Sequence, residues 1–221
     1  MPSFGEYTLS GPVNESFKPL PKSVLRITYD PDGKKHYGIA NRKVVQFDEG
    51  AISTTTLELG LDVPRLSWPC EITYDTKRKR VILGSSGGGG YLYAYSPDKN
   101  QWSVISKRPG ALDAFVYSPT DDLIYGVLFE HFEEGNVASL AKVNSLGAVV
   151  DRIPLGFPLE PGGLTTGPGV CTTQITIAGK YVVILISPGG IGDRGEIDAS
   201  SIYLVDPEKK KVWLTYKKMA E

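Results

Sequence analysis

Four polar residues stand at comparable places in the chain and are of the types that bind or react with polar ligands. Arg26, Glu71, Asp113 and Gln174 each lie at the start of a short apolar run. A guanidinium and a pair of carboxylates can hold a small polar ligand, and two carboxylates with separated pKa values can act as acid and base. The same residues can instead form salt links and hydrogen bonds that join neighbouring repeats.

Two further candidates precede the second of these runs. Arg65 and Trp68 lie in the segment GLDVPRLSWPC, which we expect to be a loop. An aromatic ring on a loop above a pocket can stack on a sugar or on another ring, although such a ring more often anchors its own loop. We therefore include both residues among the predicted ligand-binding residues.

Metal-binding residue types are scarce. His131, another predicted ligand-binding residue, lies in FEHFEEGN, which we expect to be a long acidic loop. No second histidine is available there to complete a zinc site. Asp193, Glu196 and Asp198 offer oxygen ligands, but their spacing differs from that of the helix-flanked calcium loop. We predict no resident cofactor, with a calcium ion at these three acids as the alternative.

Several function classes are disfavoured by the sequence. The net charge of −1 provides no basic field for nucleic acid or for an anionic membrane. The chain has no apolar run long enough to span a bilayer and no signal peptide as written. The sequence therefore does not indicate a cellular compartment. The glycine-rich segments follow apolar runs without opening a helix and lack the lysine of a phosphate-binding loop, and two histidines serve Ser-His-Asp chemistry poorly. Cys70 and Cys171 are buried small residues, one disulfide or a reactive thiol.

The elements that must position these residues form a repeat. Residues 71–105 contain four apolar runs, EITYD, RVILG, YLYAY and WSVI, separated by turn sequences, and the same unit recurs once before and twice after. Four strands in a period of roughly 40–50 residues are typical of a β-propeller. We predict an all-β propeller of four four-stranded antiparallel blades at residues 24–59, 70–106, 113–155 and 172–217. The residues before it, 1–23, are predicted to be an N-terminal arm, with one extra strand in it as the alternative. The alternatives are part of a larger propeller and a β-sandwich.

The second repeat resembles a kelch repeat. Gly87–Gly90 follow an apolar strand, and Tyr95 and Trp102 are separated by six residues. The fourth repeat resembles it less closely, with Gly189, Gly190 and Trp213. This resemblance implies a propeller and carries no particular function, because kelch-like rings serve many roles.

The connections between the predicted strands are unequal at the two ends of the propeller. Turns such as PDGKK, TKRK and PTDD at one end are minimal, whereas the longer connections, including EHFEEGNVA and PGGIGDRGEIDAS, fall at the other. Long loops on a rigid frame concentrate binding and catalysis. We therefore expect a non-enzymatic propeller that binds a protein or small polar ligand at the long-loop end. One alternative is a lyase or hydrolase that acts on a carbohydrate or a similar polar substrate. The other is a structural fragment of a larger assembly. The sequence does not indicate the oligomeric state.

Overall fold

The chain folds into four separate antiparallel sheets. A computed structural model describes residues 24–41, 43–48, 53–58, 69–85, 91–107, 112–132, 135–159, 171–188 and 201–217. Each sheet has four strands in sequential order, and the sheets are the blades of a β-propeller. The predicted fold class is therefore confirmed. The predicted N-terminal arm, residues 1–23, lies outside the described residues.

The strands of each blade follow one another along the chain. The first blade contains β1 (Val24–Asp30), β2 (Lys35–Ala40), β3 (Lys43–Asp48) and β4 (Thr55–Thr56). The second contains β5 (Pro69–Asp75), β6 (Arg80–Ser85), β7 (Tyr91–Ser96) and β8 (Gln101–Lys107). The third contains β9 (Leu112–Ser118), β10 (Leu123–Phe132), β11 (Gly135–Val143) and β12 (Val149–Leu159). The fourth contains β13 (Cys171–Ala178), β14 (Tyr181–Pro188), β15 (Ser201–Asp206) and β16 (Lys211–Lys217).

One end of the propeller carries short hairpin turns, and we call it the short-turn end. Residues 31–34, 76–79, 119–122 and 207–210 connect adjacent strands, and each last residue has the left-handed backbone conformation. A buried aspartate often begins the turn: Asp30 Oδ1 accepts N–H bonds from Asp32 and Gly33, each at 3.0 Å. These hydrogen bonds from backbone N–H groups to the Asp30 side chain explain why β1 ends at Asp30.

Three blade junctions are closed by apolar side chains. One buried cluster joins the first and second blades through residues such as Tyr37, Leu83 and Tyr95. A second cluster joins the second and third blades, and a third joins the third and fourth. Because a four-stranded sheet cannot bury two faces by itself, each blade shelters the apolar face of its neighbour.

The junction between the fourth and first blades differs. No buried apolar cluster among the described residues combines these two blades. Ile27 and Tyr29 on β1 are 37% and 43% exposed, whereas Ile72 and Tyr74, at the same register in β5, are 4% and 6% exposed. The face of the first blade that looks away from the second blade is thus only partly covered.

The opposite end of the propeller, which we call the long-connection end, contains the longest intervals between strands. These are residues 57–68, 160–170 and 189–200, of which only residues 57 and 58 belong to the described part. One expected loop is absent: β10 and β11 continue as a paired hairpin to Phe132 and Gly135, so that only residues 133–134 connect them. The expectation of a long loop at EHFEEGNVA was wrong, because ladder pairing extends through these residues.

Candidate functional site

Arg26 links three blades at the long-connection end. Its Nη2 donates a hydrogen bond to the Thr173 carbonyl oxygen of the fourth blade at 3.1 Å. Its Nε lies 3.7 Å from Glu71 Oε2 of the second blade. The guanidinium therefore lies where the first strands of the blades begin, around the axis.

The backbone of Arg26 is unusual. Its φ is +51°, and Arg26 is the one described non-glycine residue of positive φ that lies inside a strand, since the others are in turns. The ladder shifts by one residue between Leu25 and Ile27, which makes Arg26 the extra residue of a β-bulge. Similar shifts leave Cys70 and Asp113 unpaired at the start of β5 and β9. Bulges re-aim a side chain, and strained backbone is found preferentially at functional positions.

The predicted residues are brought together only in part. Arg26 and Glu71 approach each other, and Gln174 lies exposed on β13, next to the Thr173 that accepts the Arg26 bond. Asp113 and His131 belong to β9 and β10, but their side chains lie outside the described part. Arg65, Trp68 and the acids Asp193, Glu196 and Asp198 lie outside the described residues altogether, so their proposed roles stay predictions.

Cys70 is the second residue of β5 and Cys171 is the first residue of β13, and their side chains are also outside the described part. Among the described residues, no three His, Cys, Asp or Glu side chains are placed to hold one metal ion. Within the same ranges, no helix has the length and hydropathy that a membrane-spanning helix needs.

Ion pairs connect the blades at the short-turn end. Lys79 Nζ lies 3.0 Å from Asp32 Oδ2 across the first junction. Arg78 Nη1 donates to Asp122 Oδ1 at 2.6 Å across the second junction. Lys210 Nζ donates to Asp151 Oδ1 at 2.9 Å across the third. These three contacts favour a structural role for the charged residues that take part in them.

A polar cleft lies between the first and second blades at this same end. It has a volume of about 560 Å³, which is within the usual range of ligand pockets. The buried side chains of Asp30, Tyr37, Tyr74 and Tyr95 line it. Burial raises the pKa of the Tyr74 hydroxyl, and the hydrogen bond between that hydroxyl and Asp30 raises it further. Burial also raises the pKa of the Tyr37 and Tyr95 hydroxyls, so all three tyrosines are neutral at physiological pH. The Tyr95 hydroxyl donates to Asn100 Oδ1 at 2.9 Å.

Sequence reasoning missed this cleft because it assigned function to the end with long connections. A signal was nevertheless present. The turns after the repeated ITYD motifs differ, since the second blade has Arg78 and Arg80 where the first has Gly33 and Lys35. That difference removes two arginines from the neighbourhood of Asp30.

The kelch-like residues of the second blade are cross-strand partners in the core. Tyr95 on β7 pairs with Trp102 on β8, with ring centroids 5.0 Å apart. In the fourth blade the matching pair is Val205 and Val212, while Trp213 lies on the other face and is 41% exposed. Trp213 is therefore not the counterpart of Trp102, and the resemblance is limited to the second blade.

Comparison with known proteins supports the fold. No protein-family model matches the chain, and no curated protein matches it in sequence. Among solved structures, hydrazine synthase of Kuenenia stuttgartiensis is similar with a TM-score of 0.58 and 13% identity, over 86% of this chain and 53% of that one. The chain thus spans about half of that protein.

Two other solved structures are similar at this level. TolB from Acinetobacter baumannii has a TM-score of 0.51 and 13% identity, over 86% of this chain and 43% of its own. The tricorn protease has a TM-score of 0.53 and 10% identity, over 90% of this chain and 23% of its own. At such low identity the likeness concerns the propeller fold alone.

Proposed function

We propose that this propeller is a non-enzymatic binding module whose protein partner or small polar ligand docks at the long-connection end, over the axis. The observation that supports it is the position of Arg26, a strained and part-buried arginine held between Glu71 and the Thr173 carbonyl. A guanidinium with five donors has N–H groups beyond those two contacts, and it suits carboxylate or other anionic oxygen on a ligand. Binding residues concentrate in long connections on a rigid frame, and the longest intervals between strands fall at this end.

The enzyme alternative, a lyase or hydrolase using axial carboxylates, stays a prediction. Its candidate carboxylates are Glu71, which is 8% exposed and lies 3.7 Å from Arg26 Nε, and Asp113, whose side chain lies outside the described part. A kelch-like character of the second blade and a place in a larger assembly are likewise compatible with the proposed binding role.

The proposal can be tested by selecting binders from a displayed random-peptide library and mapping them by hydrogen–deuterium exchange. We expect selected peptides to protect the beginnings of β1, β5 and β13, and Arg26→Gln to weaken them by at least about tenfold. Lys43→Gln, which removes an exposed lysine of the same blade, is the matched control. Protection confined to the short turns, or full binding by Arg26→Gln, would show that the proposed end is wrong.

A further inference from the structure

Asp30 differs from the other buried aspartates of the described residues in its charge environment. Asp75 is 1% exposed and is paired with Arg78 at 3.2 Å and Arg80 at 2.9 Å. Asp206 is 2% exposed and has Lys180 at 3.7 Å. Asp30 is 4% exposed, and no described cation lies within ion-pair distance of it. A buried carboxylate without a cation is costly, so the cleft beside it is suited to receive one.

The second blade shows which group fits such a position. Asp30 lies opposite Lys35 in the ladder, as Asp75 lies opposite Arg80. Lys35 does not form an ion pair with Asp30, because its ammonium group is paired with Asp48 at 2.6 Å. Gly33 replaces Arg78, and a Cβ there would lie only 2.5 Å from Asp30 Oδ2. The first blade therefore keeps open, as a cleft, the space that arginines fill beside Asp75.

The other walls of the cleft also suit a planar cation. Tyr37 is 1% exposed and lines the cavity, and the described contacts include no hydrogen bond from its hydroxyl. The rings of Tyr37 and Tyr95 meet edge to face with centroids 6.1 Å apart. Asp98, an exposed residue, adds a carboxylate at the rim, while Lys79 at the rim is engaged by Asp32. Carboxylates and tyrosine faces together are the groups that bind guanidinium by hydrogen bonds and cation–π contact.

From this geometry we infer that the cleft between the first and second blades binds a guanidinium group, as carried by an arginine side chain, with Asp30 as its counter-ion and the Tyr37 hydroxyl as a second acceptor. The site lies at the end opposite to Arg26, so the outcome of this proposal is independent of the proposed function.

The test is an NMR titration of the ¹⁵N-labelled protein with N-acetyl-L-arginine amide. We expect saturable shifts of the amides of Asp32, Gly33 and Asn100, with a dissociation constant in the millimolar range appropriate to one side chain. N-acetyl-L-citrulline amide has nearly the same shape without the charge and should not bind. Equal shifts with citrulline amide, or no saturable shift with arginine amide, would overturn the inference.

Variants identify the residues responsible. Lys35→Arg should place a guanidinium beside Asp30 from within the chain, as Arg80 does for Asp75, and should abolish the titration while raising the melting temperature. Asp30→Asn and Tyr37→Phe should each weaken binding, and Tyr37→Phe remains informative if loss of the Asp30 turn contacts prevents folding. Asp151→Asn removes the same charge at another junction and should bind normally. Unchanged binding by both Lys35→Arg and Tyr37→Phe would contradict the assignment.

A separate titration with L-arginine distinguishes the free amino acid from an arginine residue of a partner. Capped arginine should bind at least as well as L-arginine, because the inferred contacts involve only the side chain. A response to L-arginine without one to the capped amide would show recognition of the α-amino and α-carboxylate groups and would overturn the inference.

Discussion

The Arg78 guanidinium of the second blade donates two hydrogen bonds to the Asp122 carboxylate of the third blade, at 2.6 and 2.9 Å. Arg78 Nη1 also lies 3.2 Å from Asp75 Oδ2 in its own blade. Asp122 further accepts hydrogen bonds from Lys77 at 2.7 Å and from Tyr117 at 3.0 Å. A bidentate arginine within such a network is geometrically fixed, unlike an isolated surface pair.

Removing the Asp122 carboxylate should loosen this junction. We expect Asp122→Asn to lower the melting temperature by a few degrees, because Arg78 and Lys77 lose their common anionic partner. Asp48→Asn removes one partner of a single exposed pair with Lys35 and should change the melting temperature much less. Differential scanning calorimetry measures both. An equal effect of the two substitutions would argue against a special role for the Arg78–Asp122 contact.

Acid should weaken the junction between the third and fourth blades. Hydrogen bonds from Lys210 and Lys142, with a backbone N–H bond from Arg152, lower the pKa of Asp151 from 3.8 to about 2. A group with a depressed folded-state pKa stabilises the fold above its unfolded pKa, and this contribution disappears as pH falls through the folded value. We expect the melting-temperature difference between wild type and Asp151→Asn to reach its largest value above about pH 5 and to disappear as the pH falls towards about 2.

The pH comparison has a simple internal check. The pKa of Asp122 is also lowered, chiefly by its hydrogen bonds with Arg78 and Lys77, so Asp122→Asn should show the same direction of pH dependence. Tyr29→Phe alters no carboxylate and should keep a constant difference from wild type over this range. A wild-type advantage over Asp151→Asn that grew on acidification would contradict the assigned sign.

Two tyrosines of identical local sequence should differ in their contribution to stability. Tyr74 is 6% exposed and belongs to the cluster that joins the first and second blades, whereas Tyr29 is 43% exposed. We expect Tyr74→Ala to reduce the free energy of unfolding by about 3–5 kcal/mol, as for other buried aromatic truncations. Tyr29→Ala should cost about 1 kcal/mol or less. Urea unfolding measures both free energies. Similar losses of unfolding free energy would mean that the junction between the fourth and first blades is as tightly packed as the one between the first and second.

The propeller could be predicted because its signal is local and repeated. Apolar runs of strand length, turn residues in matching places and a recurring four-run unit required no knowledge of distant contacts. The short turns at 31–34, 76–79, 119–122 and 207–210 were correctly placed for the same reason. The extent of the hairpin between β10 and β11 was not, because EHFEEGNVA has the polarity of a loop and only cross-strand pairing makes it a strand.

The convergence of Arg26 with Glu71 followed from aligning the repeats, but the bulge that gives Arg26 its positive φ did not. A bulge depends on how one ladder meets the next blade, and an alignment contains no such information. The Asp30 cleft was missed for the same reason. It is open because the first blade has Gly33 and Lys35 where the second blade has Arg78 and Arg80.

The sequence by itself determined the four-strand units and the order of the strands within each blade, because these depend on neighbouring residues and on the turn between them. Tertiary structure alone decided what covers each face. Ile27–Asp30 and Ile72–Asp75 are the same four amino acids, yet Tyr74 is buried against the preceding blade and Tyr29 is half-exposed. Burial depends on the surface brought opposite a side chain, and that surface comes from residues far away in the chain.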